Sequence, residues 1–296
     1  MSFALPLEAV PNFSEGRDRD VIDALARALA GHARLLDVHS DEDHNRSVFT
    51  LVGGDAEIVD ALVAGIACAR ERIDLRRHEG VHPRIGAADV VPVVPIRPDD
   101  MERARAVARS LARRVGEEVG LPVFLYAEVG DGRGPAFFRR GGPAGLQARI
   151  DGGEVAPDFG PATLDAAAGG VIVGARRPLI AFNVNLAGAT VEIAREIAGV
   201  IRERGGGFAG VRALGLDLPR AGKAQVSMNV EDWEASALHE IVAAIEREAH
   251  ARSVEVESSE LVGLMPAGAA AAAAGSALRI DGFDASRLLE LRLLQD

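Results

Sequence analysis

Apolar residues recur along the chain in two rhythms, and glycine and proline mark where one gives way to the other. Short runs that alternate or are continuously apolar read as strands at 7–13, 34–38, 47–52, 89–96 and 123–126. Between them the spacing turns helical. Val21, Ile22, Leu25, Ala26 and Leu29 give 18–30 a single apolar face. A second helix spans 55–73 with Asp55 as its N-cap, and a third spans 99–119 with two aspartates at its start and Gly120-Leu121-Pro122 as its stop. A polar turn is expected over 39–45. From 127 to 170 the pattern is loop-rich, with one helix at 143–150. Excursions of this length in a compact domain tend to be functional.

The second half repeats the order. Strands are expected at 179–186, 211–216, 224–229 and 254–257, with helices at 190–204 and 233–249. Two more helices follow in 261–296, separated by Gly282-Phe283-Asp284. Each half therefore reads β-α-β-β-α-β, the split βαβ order. The expected class is α/β (α+β): two ferredoxin-like subdomains, 1–178 and 179–296, with a ligand groove between their sheets.

Composition narrows the partners. The 296 residues are 48% hydrophobic and only 4% aromatic, so the core is built from Ala, Val, Leu and Ile. A formal charge of −11 argues against nucleic acid and anionic membrane surfaces, although a local basic loop can still hold a small anion. The single cysteine, Cys68, sits among helical apolar residues and reads as a bystander in a reducing compartment. The start of the chain lacks the basic and apolar regions of a signal peptide, and no apolar run is long enough to span a bilayer. A cytoplasmic protein is expected.

The densest chemistry is Arg76-Arg77-His78-Glu79-Gly80-Val81-His82-Pro83-Arg84-Ile85-Gly86. Its glycines and proline forbid a continuous helix, so the ionisable groups ride on a shaped loop that feeds a strand. An imidazole titrates near neutrality and can take and return a proton, and Pro83 restricts where His82 points. Arg77 and Arg84 suit bidentate carboxylate binding. Read from the residues alone, a catalytic His82 and a surface histidine bonded to a nearby carbonyl both stay open. Histidines and carboxylates at His32, Asp37, His39, Asp41, Glu42, Asp43 and His44 raise a metal site, but the broken helix spoils the four-residue spacing of His78 and His82. His78-Glu79-Gly80-Val81-His82 has the letters of HExxH without the helix that motif needs, and the glycines at 205–210 have those of GxGxxG without a strand before them and a helix after; no P-loop or Gly-x-Ser-x-Gly motif is present, and no metal is expected.

Further blocks occur in order: Val10-Pro11-Asn12-Phe13-Ser14-Glu15-Gly16, Asn45-Arg46, Arg77-His78, His82-Pro83-Arg84, Asp89, Pro157-Asp158-Phe159-Gly160-Pro161, Gly174-Ala175-Arg176, Ala181-Phe182-Asn183, Ala224-Gln225-Val226-Ser227 and Leu261-Val262-Gly263-Leu264. With these blocks the chain resembles the formiminotransferase family over nearly its whole length, in the stand-alone form with no cyclodeaminase portion. The resemblance implies transfer of the formimino group from N-formimino-L-glutamate to N5 of tetrahydrofolate in histidine breakdown. It implies a homodimer of two ferredoxin-like subdomains, His82 as catalytic base, and no cofactor beyond tetrahydrofolate as acceptor. The folate segment falls on Gly160-Pro161-Ala162-Thr163-Leu164-Asp165-Ala166-Ala167-Ala168-Gly169, with a further contact at Gly210. Arg77, Arg84 and Arg176 become candidates for the carboxylates of glutamate.

Two departures stand out. Animal members carry Asp where this chain has His39, so Asp37, Asp41 or Asp43 is expected to orient His82. The folate segment also lacks an aromatic residue. Two other activities remain open: formyl transfer between 5-formyltetrahydrofolate and glutamate, and a metal-dependent hydrolase using His39, Asp41, His44, His78 and His82. A folate-binding protein without turnover is the non-enzymatic reading.

Overall fold

The computed structural model describes residues 5–293. The chain divides into two compact units, Met1–Arg177 and Pro178–Asp296. The first unit begins β1 (Leu7–Ala9), β2 (Asn12–Phe13), α1 (Arg19–Ala30), β3 (Arg34–Asp41), β4 (Arg46–Gly53), α2 (Asp55–Arg72) and β5 (Ala88–Pro95). It continues with α3 (Met101–Arg114), β6 (Val123–Ala127), the short helices α4 (Pro135–Arg139) and α5 (Gly142–Asp151), and β7 (Val171–Ala175).

β1 and β2 behave as one strand interrupted at Pro11, which has no N–H to give a ladder. Both pair antiparallel with β4 on one side and β5 on the other. With β3 outside β4, these strands reproduce the expected order. β7 and β6 then extend the sheet from β5 as parallel strands. This extension is a correction to the expected β-α-β-β-α-β count. β7 is a short, continuously apolar run buried on both faces, so it carries no alternation to announce it.

Helices α1, α2 and α3 cover one face of this sheet, enclosing Phe13, Leu25, Phe49, Ile66 and Leu111. Phe13 meets Phe49 edge to face, with ring centroids 5.4 Å apart. Asp18 starts α1 by accepting from the amides of Asp20 and Val21. The long third helix is α3 preceded by a 3-10 turn and followed by a π-turn over Val115–Val119. Residues 39–41, expected in a turn, complete β3, an edge strand whose outer side tolerates polar residues.

The second unit runs β8 (Ile180–Ala187), α6 (Val191–Ile201), β9 (Val211–Leu218), β10 (Lys223–Val230), α7 (Leu238–Ala251) and β11 (Glu255–Val262), then α8 (Ala267–Leu278) and α9 (Leu289–Leu293). Its antiparallel sheet has the order β11-β8-β10-β9, and α6 and α7 enclose Val184, Ile197, Val226, Ile241 and Ile245. α7 begins five residues later than the sequence pattern implies. Asp232 accepts from the Ala235 amide through its side chain and from the Ser236 amide through its carbonyl, turning the chain before the helix starts. β11 is twice the expected length. The last three residues of the expected tail, 294–296, lie outside the described residues.

Gly86, just before β5, touches Gly169 across an isolated bridge. A Cβ there would lie 1.9 Å from the Gly170 carbonyl oxygen. Gly86→Ala is therefore expected to cost about 2–3 kcal/mol, read as a lower denaturant midpoint.

Candidate active site

Segments far apart in sequence meet at the start of β5. The β3–β4 turn brings the first. Asp41 Oδ1 accepts from the His44 amide at 2.6 Å and lies 3.6 Å from His44 Nδ1. Asn45 adopts a φ of 45°, a conformation that asparagine enters more readily than most residues. Its Oδ1 accepts from the Gly16 amide and its Nδ2 donates to the Glu79 carbonyl, both at 2.9 Å. The turn is thereby pinned to the loop that carries His82.

Arg84 makes the second tie. Its guanidinium donates to the carbonyls of His44 at 2.7 Å, Asn45 at 2.9 Å and His82 at 2.8 and 3.1 Å. Nη1 also lies 2.9 Å from His78 Nε2. The same nitrogen of His78 lies 3.0 Å from the Asn45 carbonyl oxygen, so a guanidinium that only donates and a carbonyl that only accepts both face it. Burial, followed by the charge of Arg84, lowers the His78 pKa to about 4. Arg84 staples the loop rather than offering a free fork to a substrate.

His82 Nδ1 stands 2.7 Å from the Pro83 carbonyl oxygen. A carbonyl accepts only, so Nδ1 carries the proton of the neutral ring and Nε2 keeps its lone pair. The ring retains some contact with solvent, yet the surrounding protein lowers its pKa well below the ordinary value. The charges of Arg46 and Arg139 push the same way, Asp89 opposes them, and His44 adds to the lowering. The His44 ring stands edge-on to it, with centroids 6.1 Å apart.

Asp89 anchors the arrangement. Between Asn12↔Val90 and Phe13↔Ala88 the register slips, so Asp89 is a bulged residue whose side chain is re-aimed. It is 0% exposed. Its Oδ1 accepts from the Ile85 amide at 2.8 Å, and its Oδ2 accepts from Arg46 Nη1 at 2.8 Å and Arg139 Nη2 at 2.5 Å. Burial alone would raise its pKa, but Arg139, Arg46 and the Ile85 amide hold it far below the usual carboxylate range. Arg46 also donates from Nε to Asn12 Oδ1 at 3.1 Å. Burial lowers the Arg46 pKa to about 10, so it stays cationic at neutral pH.

The segment expected to hold folate is laced to the same loop. The Leu75 amide donates to Ala167 O at 2.8 Å, the Ala87 amide to Ala168 O at 2.8 Å and the Gly170 amide to Ile85 O at 3.1 Å. Asp165 caps this turn through the amides of Ala167 and Ala168, both at 2.9 Å. Pro161, Ala162, Thr163 and Ala166 are exposed.

Residues 6–176 match the family model for the N-terminal subdomain of the formiminotransferase domain, and residues 181–281 match that for the formiminotransferase domain. The chain is 41% identical to glutamate formimidoyltransferase of Thermoplasma acidophilum, over 97% of each chain. It is 40% identical to that of Streptococcus pyogenes, over 97% of this chain and 98% of the other. It is also 40% identical to formimidoyltransferase-cyclodeaminase of Sus scrofa, over 88% of this chain and 50% of that one. The chain belongs to the formiminotransferase family.

The residues expected from sequence separate into groups. The 160–169 segment is joined to Leu75, Gly86 and Ala87, on either side of His82 in its loop. His39 and Asp37 share the sheet face of Arg46 by strand register, opposite Val48 and Thr50 respectively. The carboxylate acting most strongly on His82 is nevertheless Asp89, with Asp41 beside His44. Arg77 is exposed at the end of a 3-10 turn. Arg176 lies elsewhere. Ala175 pairs with Val93, which puts Arg176 about 16 Å along β5 from Asp89, and its charge acts on Glu8. Gly210 belongs to the second unit, where its φ of 66° and the approach of Asp232 call for glycine.

Sequence reasoning missed Arg139. Its one signal was Phe137-Phe138-Arg139-Arg140, an aromatic pair in an aromatic-poor chain. Among the described residues, no three His, Cys, Asp or Glu side chains stand close enough to hold a metal ion, so the five hydrolase candidates form no such group.

The fold keeps His78 and His82 neutral. The unfolded chain protonates its histidines near pH 6.5, whereas His78 protonates in the native state only near pH 4. Over that interval the unfolded state binds more protons. Stability is therefore fully present above about pH 6.5 and falls as the pH drops toward 4. Denaturant midpoints measured across this range should decline, and His78→Asn should flatten the slope.

Proposed function

We propose that this chain transfers the formimino group of N-formimino-L-glutamate to N5 of tetrahydrofolate, giving 5-formiminotetrahydrofolate and glutamate. The observation that carries this reading is the fixed tautomer of His82, a base beside surplus positive charge. N5 attacks the electrophilic formimino carbon and forms the new C–N bond. Nε2 of His82 takes the proton that N5 sheds. The tetrahedral intermediate then collapses, the bond from carbon to the glutamate nitrogen breaks, and the proton passes from His82 to the departing amine. Tetrahydrofolate is the acceptor substrate, and the reaction needs no further cofactor.

The lacing of 165–170 onto the His82 loop supports placing the folate against that segment. The names of the relatives from Thermoplasma acidophilum and Streptococcus pyogenes support the same activity. We take the active form to be a cytoplasmic homodimer. Among the described residues, no helix is long and apolar enough to cross a membrane.

Purified protein assayed with both substrates should yield a product that cyclises in acid. Transfer from 5-formyltetrahydrofolate to glutamate, with none from formiminoglutamate, would replace this reading by formyl transfer. His82→Gln is expected to lower kcat at least a hundredfold while tetrahydrofolate affinity changes little. An unaltered kcat would remove His82 from the reaction.

A further inference from the structure

Arg46 and Arg139 converge on one oxygen of Asp89, while its other oxygen is held by the Ile85 amide. Two guanidiniums against one carboxylate leave a surplus positive charge. Arg46 has its Nε–H on Asn12 and one Nη1–H on Asp89. Arg139 uses only Nη2 on Asp89, its side chain is 15% exposed, and its Nε is buried without a hydrogen-bond partner. A buried guanidinium N–H left unmet is costly, and a charged group of this kind favours an anion at its accessible edge. Arg84 adds another charge, but its donors are taken up by loop carbonyls. Arg46 and Arg139 both keep donors beyond those spent on Asp89 and Asn12, but Arg139 is the more accessible, its side chain 15% exposed against 8% for Arg46, and its charge acts on the His82 ring.

We infer that Arg139, backed by Arg46 and held in place by Asp89, receives the α-carboxylate of the formimino donor. This rests on the transfer reading above. The chemistry selects this carboxylate over its rivals. In formiminoglutamate the α-carboxylate is attached to the same carbon as the nitrogen that must leave, so a cation close to the proton-transferring imidazole reaches it first. The γ-carboxylate is two methylenes further away. The carboxylates of tetrahydrofolate are separated from N5 by the whole p-aminobenzoyl group. Asp89 has a positioning role: it orients both guanidiniums while neutralising only one.

The test compares N-formimino-L-glutamate with N-formimino-4-aminobutyrate, which lacks the α-carboxylate, using tetrahydrofolate as acceptor. Wild-type kcat/KM is expected to be about thirtyfold higher for the first donor, the scale of a charged hydrogen bond. Arg139→Gln should bring the preference between the two donors close to one, whatever loss of rate the two donors share. The KM for tetrahydrofolate should stay unchanged. Arg139→Lys, which keeps the charge but not the fork, should fall between.

Wild-type enzyme that uses both donors equally well overturns the assignment without any variant. So does an Arg139→Gln protein that keeps the full preference. Should Arg139→Gln fail to fold, the wild-type comparison and Arg139→Lys decide. Absence of transfer from either donor by the wild type would instead count against the transfer reading itself, and with it the assignment.

Discussion

A carboxylate sealed from water at the start of β5 sets the terms for everything around it. An ionised Asp89 in that position is tolerated only if it is paired and hydrogen-bonded, because removing one partner of a buried pair costs about 3–5 kcal/mol. Its partners come from three places: Arg46 at the start of β4, Arg139 on the short helix α4, and the backbone of Ile85 four residues upstream. The bulge that turns Asp89 out of register therefore ties a hairpin, the loop that carries His82 and a loop-rich excursion to one atom group. Gly80 fits the same scheme, since a Cβ there would come within 2.4 Å of the His44 carbonyl oxygen.

The electrostatics follow from the count of charges. Arginines outnumber carboxylates in the cluster, and together with burial this keeps the histidine beside it neutral. A neutral ring beside surplus positive charge suits the proposed transfer, whose donor is a dicarboxylate and whose base needs an open lone pair. The Pro83 carbonyl completes the arrangement by fixing which nitrogen of His82 is protonated. Arg84 has no spare donor for substrate. Its work is to hold the carbonyls of residues 44, 45 and 82 in one place, and a lysine, with a single nitrogen, could not reach all of them.

Much of this was legible in the sequence, and the misses have physical causes. The second unit follows its periodicity closely because each strand has one apolar face and each helix one apolar stripe. β7 escaped notice because a short strand buried on both faces lacks alternation, and the end of β3 because an edge strand can be polar. His82 stood out through the residues clustered around it. Arg139 and the role of Asp89 did not. Their partnership spans fifty residues of chain, and α4 is too short to show a period. For Arg84 a sequence shows a cation but not the carbonyls that its donors meet.

The most direct test of this account is the protonation state of His82. In protein carrying 15N-labelled histidine, with His82→Gln used for assignment, the ring nitrogens can be followed across pH. The account predicts a neutral ring protonated on Nδ1 at neutral pH, taking up its second proton only well below pH 6.5. A ring protonated on Nε2, or one that titrates at or above pH 6.5, would contradict it.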